Sequence, residues 1–520
     1  MLVIRKLLVL LVAFLSLAAK AGDVVVTQFG AVGDGTTLNT DAIQRAIDAC
    51  SRQGGGKVFI PEGTWLSGTI LLKDGVTLHL HEKAVLSGST DINHYQLVDG
   101  FKDGRGSSMG YSFIGAKDVK NVGITGKGRI NGNGKEILEK HGRSKRPFLV
   151  RFVRSENVTV SDVYLEGPAA WTMHFFECKN VLAESVIIRS RGLSNNDGID
   201  IDCCEQVVIR DCDIDSGDDA ICLKTTGPKP CKEIEVSGCT INTGQGAFKL
   251  GTESMGNFED INIHDCTVKE TKGIKLYSVD GAHLKNLRIR NITIEKTTLP
   301  ILLRLGSRLK TFREGDAKKP VGIIDGVTIS NIRVKQASQM AMIISGIPGH
   351  LIKNVSISDV SVHLPGGGSE ADAKLQLPEV EADYPEVTMF GKIMPTYGLY
   401  IRHAQGIRVK DVQVSLAKAD ARPAITGIDV ADVSLTNMAM PATAFDEPYV
   451  RLEAARNVTL GMVSPENKPA VFLEVAGAAS KNIAVHADRP QIKLAAGVAK
   501  SAVQIKKVNN KPSSKKSDIL

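Results

Sequence analysis

The stretch QVVIRDCDI, residues 206–214, decides the fold. Apolar residues alternate with polar ones on both sides of a polar Arg-Asp pair, so two short strands flank a turn. The same pattern begins at positions 157, 180, 206, 233, 260 and 286, and again at 326, 354 and 406. The first intervals are 23, 26, 27, 27 and 26 residues. A nearly fixed period of this length predicts a solenoid.

The composition identifies the kind of solenoid. The chain has 50 glycines, only 5% aromatic residues and many Val and Ile, as expected of short strands joined by tight turns. The Leu/Asn framework of leucine-rich repeats is missing. We therefore predict an all-β, right-handed parallel β-helix with one coil per repeat. Helical spacing of apolar residues over 39–50 predicts a short N-terminal helix that caps the open end.

The chain of 520 residues divides into five predicted parts. A basic start, an apolar run from Leu7 to Ala18 and the sequence Ala-Lys-Ala predict a signal peptide and an exported protein. An uncleaved anchor is the alternative. The predicted parts are the signal peptide (1–21), the N-terminal cap and first coils (22–95), the parallel β-helix (96–440), terminal coils or a small β cap (441–502) and a disordered basic tail (503–520).

Charge and cysteine usage exclude several functions. The formal net charge is +7, but the leader and tail carry most of the excess, and the tail has no aromatic or Arg beside its lysines. We therefore predict no nucleic-acid binding, and no second segment is apolar enough for a membrane span. The nine Cys lack zinc-site spacing, and Cys212, Cys239 and Cys266 share one repeat position, which predicts a buried stack. No cofactor and no metal are predicted; calcium at the acidic cluster is an alternative.

The segment NNDGIDIDCCEQVVIRDCDIDSGDDAICLK, residues 195–224, carries eight aspartates. Asp197 precedes Asp218 by 21 residues and Asp219 by 22, about one coil, so the three side chains are predicted at one strand edge of adjacent coils. Crowded carboxyl groups raise one another's pKa, so one can hold a proton while its neighbours are ionised. Glycoside hydrolysis needs this division, because an acid protonates the leaving oxygen and a base activates water.

The other aspartates of this segment are interpreted as structural. Asp211, Asp213 and Asp215 are predicted to bond to backbone groups in turns, as Asp often does. Period-two alternation points Ile199 and Ile201 into the core and Asp200 and Asp202 outward, and Asp200 is given no catalytic role.

The motifs NNDGID and SGDDAICLK resemble the N-T-D-G-x-D … G-D-D-x-I-x-x-K signature of glycoside hydrolase family 28, the polygalacturonases and their relatives. The resemblance runs from Phe29 to about Arg422 and includes GPAAWTMHFFECKN, FKLGTES and PILLRLGSR. It implies an inverting hydrolase of galacturonate-containing chains. In that mechanism Asp218 is the general acid, and Asp197 and Asp219 hold and activate the water.

Two positions depart from the family pattern. Gln245, in Gly-Gln-Gly, stands where the family has Gly-His-Gly, and in GIKLY the Arg and Lys places are taken by Lys275 and Tyr277. Lys lacks the bidentate fork of Arg for a sugar carboxylate. These changes favour oligogalacturonides or rhamnogalacturonan fragments over plain polygalacturonan. Further candidates for binding an acidic sugar are Lys224, Lys249, Arg304 and Arg402; the two lysines have solvated surface positions as their alternative.

The period is interrupted at 295–325 and 363–405, and the insertions 299–325 and 363–397 are predicted to wall off one end of the groove. A blocked groove predicts exo-action on an acidic pectic glycan by a monomer. Two other functions stay open. A calcium-dependent pectate lyase is disfavoured because the motif itself holds no Arg or Lys beside the acids. A non-catalytic glycan-binding β-helix is disfavoured because a binder of acidic sugars would not line its groove with acids.

Overall fold

The computed structural model describes residues 22–143, 145–338, 340–442, 446–465 and 468–506. Its strands stack into three parallel sheets that wind as a right-handed parallel β-helix, which confirms the predicted fold class. The predicted signal peptide, 1–21, lies outside the described residues, as does 507–520.

Sheet 1 carries the site described below. Its strands are Ile70–Leu72, Ser108–Lys117, Phe148–Val153, Met173–Phe176, Ile199–Asp202, Ile221–Thr225, Gly246–Ser254, Gly273–Ser278, Ile301–Leu305, Met342–Ser345, Leu399–Gln405, Leu473–Ala476 and Ile492–Leu494.

Sheets 2 and 3 complete each coil. Sheet 2 consists of Val24–Val25, Gly56–Ile60, Val76–Leu80, Lys120–Gly126, Glu156–Ser161, Lys179–Glu184, Glu205–Arg210, Cys231–Ser237, Lys481–His486 and Val503–Lys506. Sheet 3 consists of Asp34–Leu38, Gly63–Ser67, Ala84–Gly88, Arg129–Asn131, Tyr164–Glu166, Ile187–Ser190, Asp213–Ser216 and Thr240–Thr243.

Seven longer strands continue from one sheet into the next. They are Phe258–Thr271, His283–Thr297, Ile323–Ala337, Ile352–Leu364, Arg408–Leu416, Ile425–Met440 and Val450–Pro465. The last two pair along all three sheets, so regular coils continue past residue 440. Val503–Lys506 pairs with Lys481–His486. The predicted tail boundary at 503 therefore falls at the start of a strand, because Val503 and Ile505 extend the alternating pattern by one more coil.

Stacked aliphatic side chains form the core of the β-helix. Val158, Val181, Val207, Ile234 and Ile261 occupy one register position on five successive coils, and each is at most 2% exposed. Burying one such side chain contributes about 1.5–3 kcal/mol. Repetition on every coil therefore explains why the period in the sequence predicts the fold.

The turn between sheets 2 and 3 requires a left-handed residue on each coil. Asp211, Gly238 and Asp265 occupy this place, with φ of 55°, 66° and 55°. Gly adopts this conformation without strain, and Asp tolerates it better than most residues do. The turn role predicted for Asp211 fits this backbone. Cys212, Cys239 and Cys266 follow the turn and are buried and unpaired, as are the other six cysteines.

An α-helix, Thr40–Arg52, lies at the N-terminal end, close to the predicted range. It buries Ile43, Ile47 and Cys50 against the first coils, as the helical spacing of its apolar residues predicts. The shorter helices are Val26–Phe29, Ile92–His94, Gly134–His141, Glu370–Ala373, Val387–Phe390 and Lys500–Ala502. None of the helices in the described part of the chain has the length and apolar character needed to cross a membrane.

Three irregular segments cover the outer face of sheet 1. The first is a hairpin in which Gln96–Lys102 pairs antiparallel with Ser108–Lys117. The second follows Ile301–Leu305 and braces this hairpin, since Lys102 donates its N–H to the carbonyl of Phe312 at 3.0 Å. The third, residues 365–398, includes Glu370–Ala373 and Val387–Phe390 and is called the insertion below.

Candidate active site

Consecutive strands of sheet 1 place the predicted catalytic acids side by side. Asp197 immediately precedes the strand Ile199–Asp202, and Asp218 and Asp219 precede Ile221–Thr225 on the next coil. These two strands pair in register, with Ile199 beside Ile221. One carboxylate oxygen from each of the three acids lies within 4.8 Å of the others. The spacing of one coil thus brings the acids together, as the sequence predicts.

The environments of Asp218 and Asp219 differ sharply. Burial, followed by the charge of Asp219, raises the pKa of Asp218. Burial alone would also raise the pKa of Asp219, but the ammonium groups of Lys249, Lys275 and Lys224 outweigh it and hold the pKa far below its usual range. The nearest contact joins Lys249 Nζ to Asp219 Oδ2 at 2.6 Å. Of these neighbours, one is suited to hold a proton and the other to stay ionised.

The backbone fixes both carboxyl groups. Asp218 accepts the N–H of Asn195 at 3.2 Å and that of Asp219 at 3.0 Å. Asp219 accepts the N–H of Gly246 at 2.8 Å. Asp218 is partly exposed, whereas Asp219 and Asp197 are 2% and 3% exposed. The proton-holding acid is therefore the one that a bound glycan reaches most easily.

Asp197 shares Lys224 with two further acids. Lys224 Nζ lies 3.5 Å from Asp197, 3.4 Å from Asp200 and 3.4 Å from Glu253, and 4.3 Å from the centre of the Trp171 ring. Burial, Asp200 and Asp218 raise the pKa of Asp197 well above its ordinary value. Burial, with the charges of Asp219 and Glu253, raises the pKa of Asp200 to about 8 despite the opposing charge of Lys224.

The turn role predicted for Asp213 and Asp215 was wrong, and Asp200, interpreted as structural, lies inside the charged cluster. Asp200 does point away from the core, but the outer segments cover it, and its side chain is 0% exposed beside Lys224. When Asp200 is protonated and neutral, the ammonium group of Lys224 pairs with Asp197 and Glu253 alone. Asp213 and Asp215 lie on a strand and pair with Arg189 and Arg191, because strand side chains on the outer face meet those of the next coil.

Lys224 and Lys249, which were predicted to bind an acidic sugar, contact the acids directly, so the statement that the motif holds no Arg or Lys beside the acids was wrong. Lys224 and Lys249 are 3% and 4% exposed and contact the acids, since stacked coils bring residues from later strands to the same place. Burial would lower the pKa values of both lysines. The surrounding acids, first Glu253 around Lys224 and Asp219 around Lys249, raise them well above the ordinary value. Both lysines are therefore protonated. A calcium-dependent pectate lyase can therefore not be disfavoured on the ground that cations are missing beside the acids. However, a lyase needs a base, and a protonated lysine cannot act as one.

The other predicted binding residues divide into two groups. Gln245 lines the same pocket as the acids, and Lys275 lies behind it, 3.5 Å from Gln245 Oε1 and 3.5 Å from Glu386. Tyr277, Arg304 and Arg402 do not line this pocket. Tyr277 is 0% exposed and packs in a cluster with Val387, Phe390 and Met394 of the insertion.

Arg304 and Arg402 bind the backbone of the insertion and not a sugar. Arg304 donates to the carbonyl oxygens of Glu379 and Val380 at 2.7 and 3.0 Å. Arg402 donates to those of Leu377 and Pro378, both at 3.1 Å. Both arginines were predicted to bind an acidic sugar, but the insertion covers the part of sheet 1 on which they lie. A repeat pattern in the sequence does not predict such contacts, because the irregular segments that make them follow no period.

Residues outside the repeat complete the pocket. Asp103 and Arg105 come from the hairpin, Thr252 and Glu253 from the end of the strand Gly246–Ser254, and Tyr384 and Glu386 from the insertion. Sequence reasoning identified none of the six individually. The available signals were the motif FKLGTES, which contains Thr252 and Glu253, and the richness of residues 378–391 in acids, Pro and aromatics.

Comparisons with known proteins identify the family of this chain. The profile of Glycosyl hydrolases family 28 matches residues 50–381. A probable polygalacturonase of Vitis vinifera is 34% identical over 40% of this chain and 46% of its own length. An exo-poly-alpha-D-galacturonosidase of Dickeya chrysanthemi is 30% identical over 38% of this chain and 41% of its own length. This chain therefore spans less than half of the length of these relatives.

A solved structure shares the fold. The family 28 exopolygalacturonase of Yersinia enterocolitica superposes with a TM-score of 0.60 at 20% sequence identity, covering 80% of this chain and 78% of that one. Family profile, motif and β-helix agree over most of the described chain, and we conclude that this chain belongs to glycosyl hydrolases family 28.

Proposed function

We propose that this chain is an exo-acting hydrolase of galacturonate-containing pectic glycans, with oligogalacturonides or rhamnogalacturonan fragments as substrates. The observation that carries the proposal is the trio Asp197, Asp218 and Asp219, which bring one carboxylate oxygen each within 4.8 Å of the others. Within it the pKa of Asp218 is raised and that of Asp219 is lowered. Family membership and relatives named polygalacturonase and exo-poly-alpha-D-galacturonosidase support it.

In the proposed mechanism Asp218 protonates the glycosidic oxygen as the bond to the anomeric carbon breaks. Its raised pKa and partial exposure suit this role. Asp219 stays ionised beside Lys249 and takes a proton from the attacking water. Asp197 orients that water as a second acceptor, because one of its carboxyl oxygens accepts a hydrogen bond even when its raised pKa keeps a proton on the other. At the end of the cycle the proton taken up by the base returns to Asp218 through solvent.

The short distances between the acids bear on the stereochemistry. Inverting enzymes typically separate acid and base by about 6.5–9.5 Å, more than the nearest approach of these oxygens. However, two oxygens that each accept one hydrogen of the same water at ordinary distance stand about 4.5 Å apart. The oxygens of Asp197 and Asp219 lie within 4.8 Å of each other, a limit that is compatible with one water held by both. We propose inversion on this basis and on the family resemblance; proton NMR of the first product anomer tests it.

The exo-action follows from the walls of the pocket. Tyr384 and Glu386 of the insertion and Arg105 of the hairpin line it together with the acids. Arg304 and Arg402 bind four backbone carbonyls of the insertion, so this wall is held firmly. A groove with such a wall admits a chain end in preference to the middle of a chain. We further propose export, on the leader sequence, and action as a monomer, because one chain supplies every residue of the site.

A time course of digestion tests the proposal. Oligogalacturonides of defined length and rhamnogalacturonan oligosaccharides are incubated with the enzyme, and products are sized by mass spectrometry. We expect one small product from the earliest times while the remaining chains shorten stepwise. Intermediates spread over all lengths at early times would contradict exo-action, and no cleavage of either substrate would contradict the proposed function.

A further inference from the structure

The pocket contains three cations, Arg105, Lys224 and Lys249, and two of them are already engaged. Lys224 contacts three acids, and Lys249 contacts Asp219. Arg105 is exposed and forms no ion pair within 4.0 Å with any carboxylate in the described part of the chain. It is the pocket cation whose charge is open to a ligand.

Arg105 is also held in a defined position. Its loop is closed by Asp103, whose Oδ1 accepts the N–H groups of Arg105 at 2.9 Å and Ser107 at 2.8 Å. The neighbouring Gly104 donates its N–H to Glu253 Oε1 at 2.6 Å, and its carbonyl accepts from Lys310 Nζ at 3.0 Å. Glu253 is itself a partner of Lys224. The loop is therefore connected to the acid cluster by direct contacts.

Tyr384 of the insertion provides an aromatic ring over which two guanidinium groups lie. Arg105 lies 5.0 Å from the centre of the Tyr384 ring, and Arg308 lies 5.6 Å from the same ring. The Tyr384 hydroxyl is 3.2 Å from Thr252 Oγ1. Tyr384, Glu386 and Asp218 raise the pKa of Arg105, so the guanidinium lies within electrostatic reach of the proposed general acid. A guanidinium has five N–H donors, so contact with one aromatic ring leaves donors for a ligand.

In this chain the two places of the family pattern that bind the sugar carboxylate are not filled by accessible cations. Lys275, at the family's Arg place, is 1% exposed and is bound by Glu386 and Gln245. Tyr277, at the family's Lys place, is buried outside the pocket. Neither can make a first contact with a sugar carboxylate. Building on the proposed function, we infer that Arg105 binds the carboxylate of the uronate unit that occupies the pocket, through the two parallel hydrogen bonds that a guanidinium fork makes with a carboxylate.

The test measures binding to a variant that does not turn over. Trigalacturonate is titrated calorimetrically into Asp218→Asn and into the double variant Asp218→Asn/Arg105→Gln. We expect Kd to rise about 10- to 100-fold in the double variant, as for the loss of a charge-assisted hydrogen-bonded pair. The carboxyl-reduced, neutral trisaccharide should bind weakly and equally to both. Arg105→Lys, which keeps the charge but not the fork, should fall between the two for trigalacturonate.

Two controls separate this inference from other outcomes. Arg129→Gln removes an Arg of sheet 3 that pairs with Glu166, and it should leave Kd unchanged. Equal affinity of the Arg105 variant and its parent for trigalacturonate would overturn the inference. An equal loss for the neutral trisaccharide would also overturn it, since it would show that Arg105 only shapes the wall. If the unmodified enzyme cleaves neither trigalacturonate nor rhamnogalacturonan oligosaccharides, the proposed function is overturned, and this inference with it.

Discussion

At the scale of single residues, the site is an arrangement of charges in which each acid has its own environment. Asp218 has a raised pKa because it is largely buried beside Asp219, and Asp219 has a lowered pKa because three ammonium groups surround it. Asp200, with a pKa of about 8, holds a proton at neutral pH. These differences, more than the number of acids, give the cluster its chemistry.

The role of Asp218 is tested by Asp218→Asn. Asn cannot donate a proton as an acid does, so we expect kcat on oligogalacturonide to fall about 10²- to 10⁴-fold. Binding should persist, because the variant keeps the shape and removes one negative charge from the pocket. Steady-state kinetics and calorimetry measure the two effects. Near-normal turnover by the variant would rule out Asp218 as the general acid.

The pH profile is tested by Lys249→Gln. The general base must be ionised and the general acid protonated, so activity falls below the pKa of Asp219 and above that of Asp218. Lys249 lowers both pKa values, and without it burial raises both. We expect both limbs of the profile of kcat/KM to move to higher pH. Lys229→Gln, which removes an exposed lysine paired with Glu177, is the control. An unmoved acidic limb would contradict the assigned base.

Sequence reasoning found the acids but not all of their neighbours. Asp197, Asp218 and Asp219 could be predicted because one coil of the repeat separates them. Glu253, Tyr384 and Arg105 could not, because they reach the pocket from the end of an irregular strand and from loops that follow no period. The same reasoning assigned Arg304 and Arg402 to the substrate, since the path of the insertion over sheet 1 has no signature in the repeat.

At the scale of elements, the insertion and the hairpin turn a sheet face into a pocket. The insertion is held by buried arginines and by Val387, Phe390 and Met394, which pack on Tyr277 and Leu302 of sheet 1. The hairpin was not predicted, because its strands pair antiparallel and depart from the coil pattern.

Loosening the insertion should change the products. Arg402→Ala leaves the carbonyl groups of Leu377 and Pro378 without their donor, at a cost of about 1–3 kcal/mol. We expect faster proteolysis within 365–398 and early products of mixed length. Limited proteolysis and product sizing measure these effects. Arg333→Ala, which removes an exposed arginine paired with Asp359, serves as the control. An unchanged product pattern despite a cleavable insertion would show that this wall does not set exo-action.

At the scale of the whole molecule, stability comes from repetition. Each coil adds a strand to each sheet and buries another layer of Val and Ile, and the described chain carries this stack from Val24 to Lys506. The fold was predictable because one pattern repeats along the chain. The end of the stack was harder to predict, because the last strands are short and the alternation of their polar and apolar residues is weak.

The nine cysteines give a test of this account of stability. All are buried and unpaired. We expect a thiol reagent to label none in the native protein and nine after denaturation, and a reductant to leave Tm unchanged. A fall of Tm by several degrees with reductant would show that disulfides contribute, in conflict with the structure.

We propose that this site hydrolyses a glycosidic bond by acid and base catalysis without a metal. The most direct measurement is mass spectrometry of trigalacturonate products formed in heavy-oxygen water, with and without a chelator. If the site hydrolyses the bond, we expect one heavy oxygen at each new reducing end and no effect of the chelator. A product lighter by one water, whose formation stops on chelation, would show a calcium-dependent lyase and contradict the roles assigned to Asp197, Asp218 and Asp219.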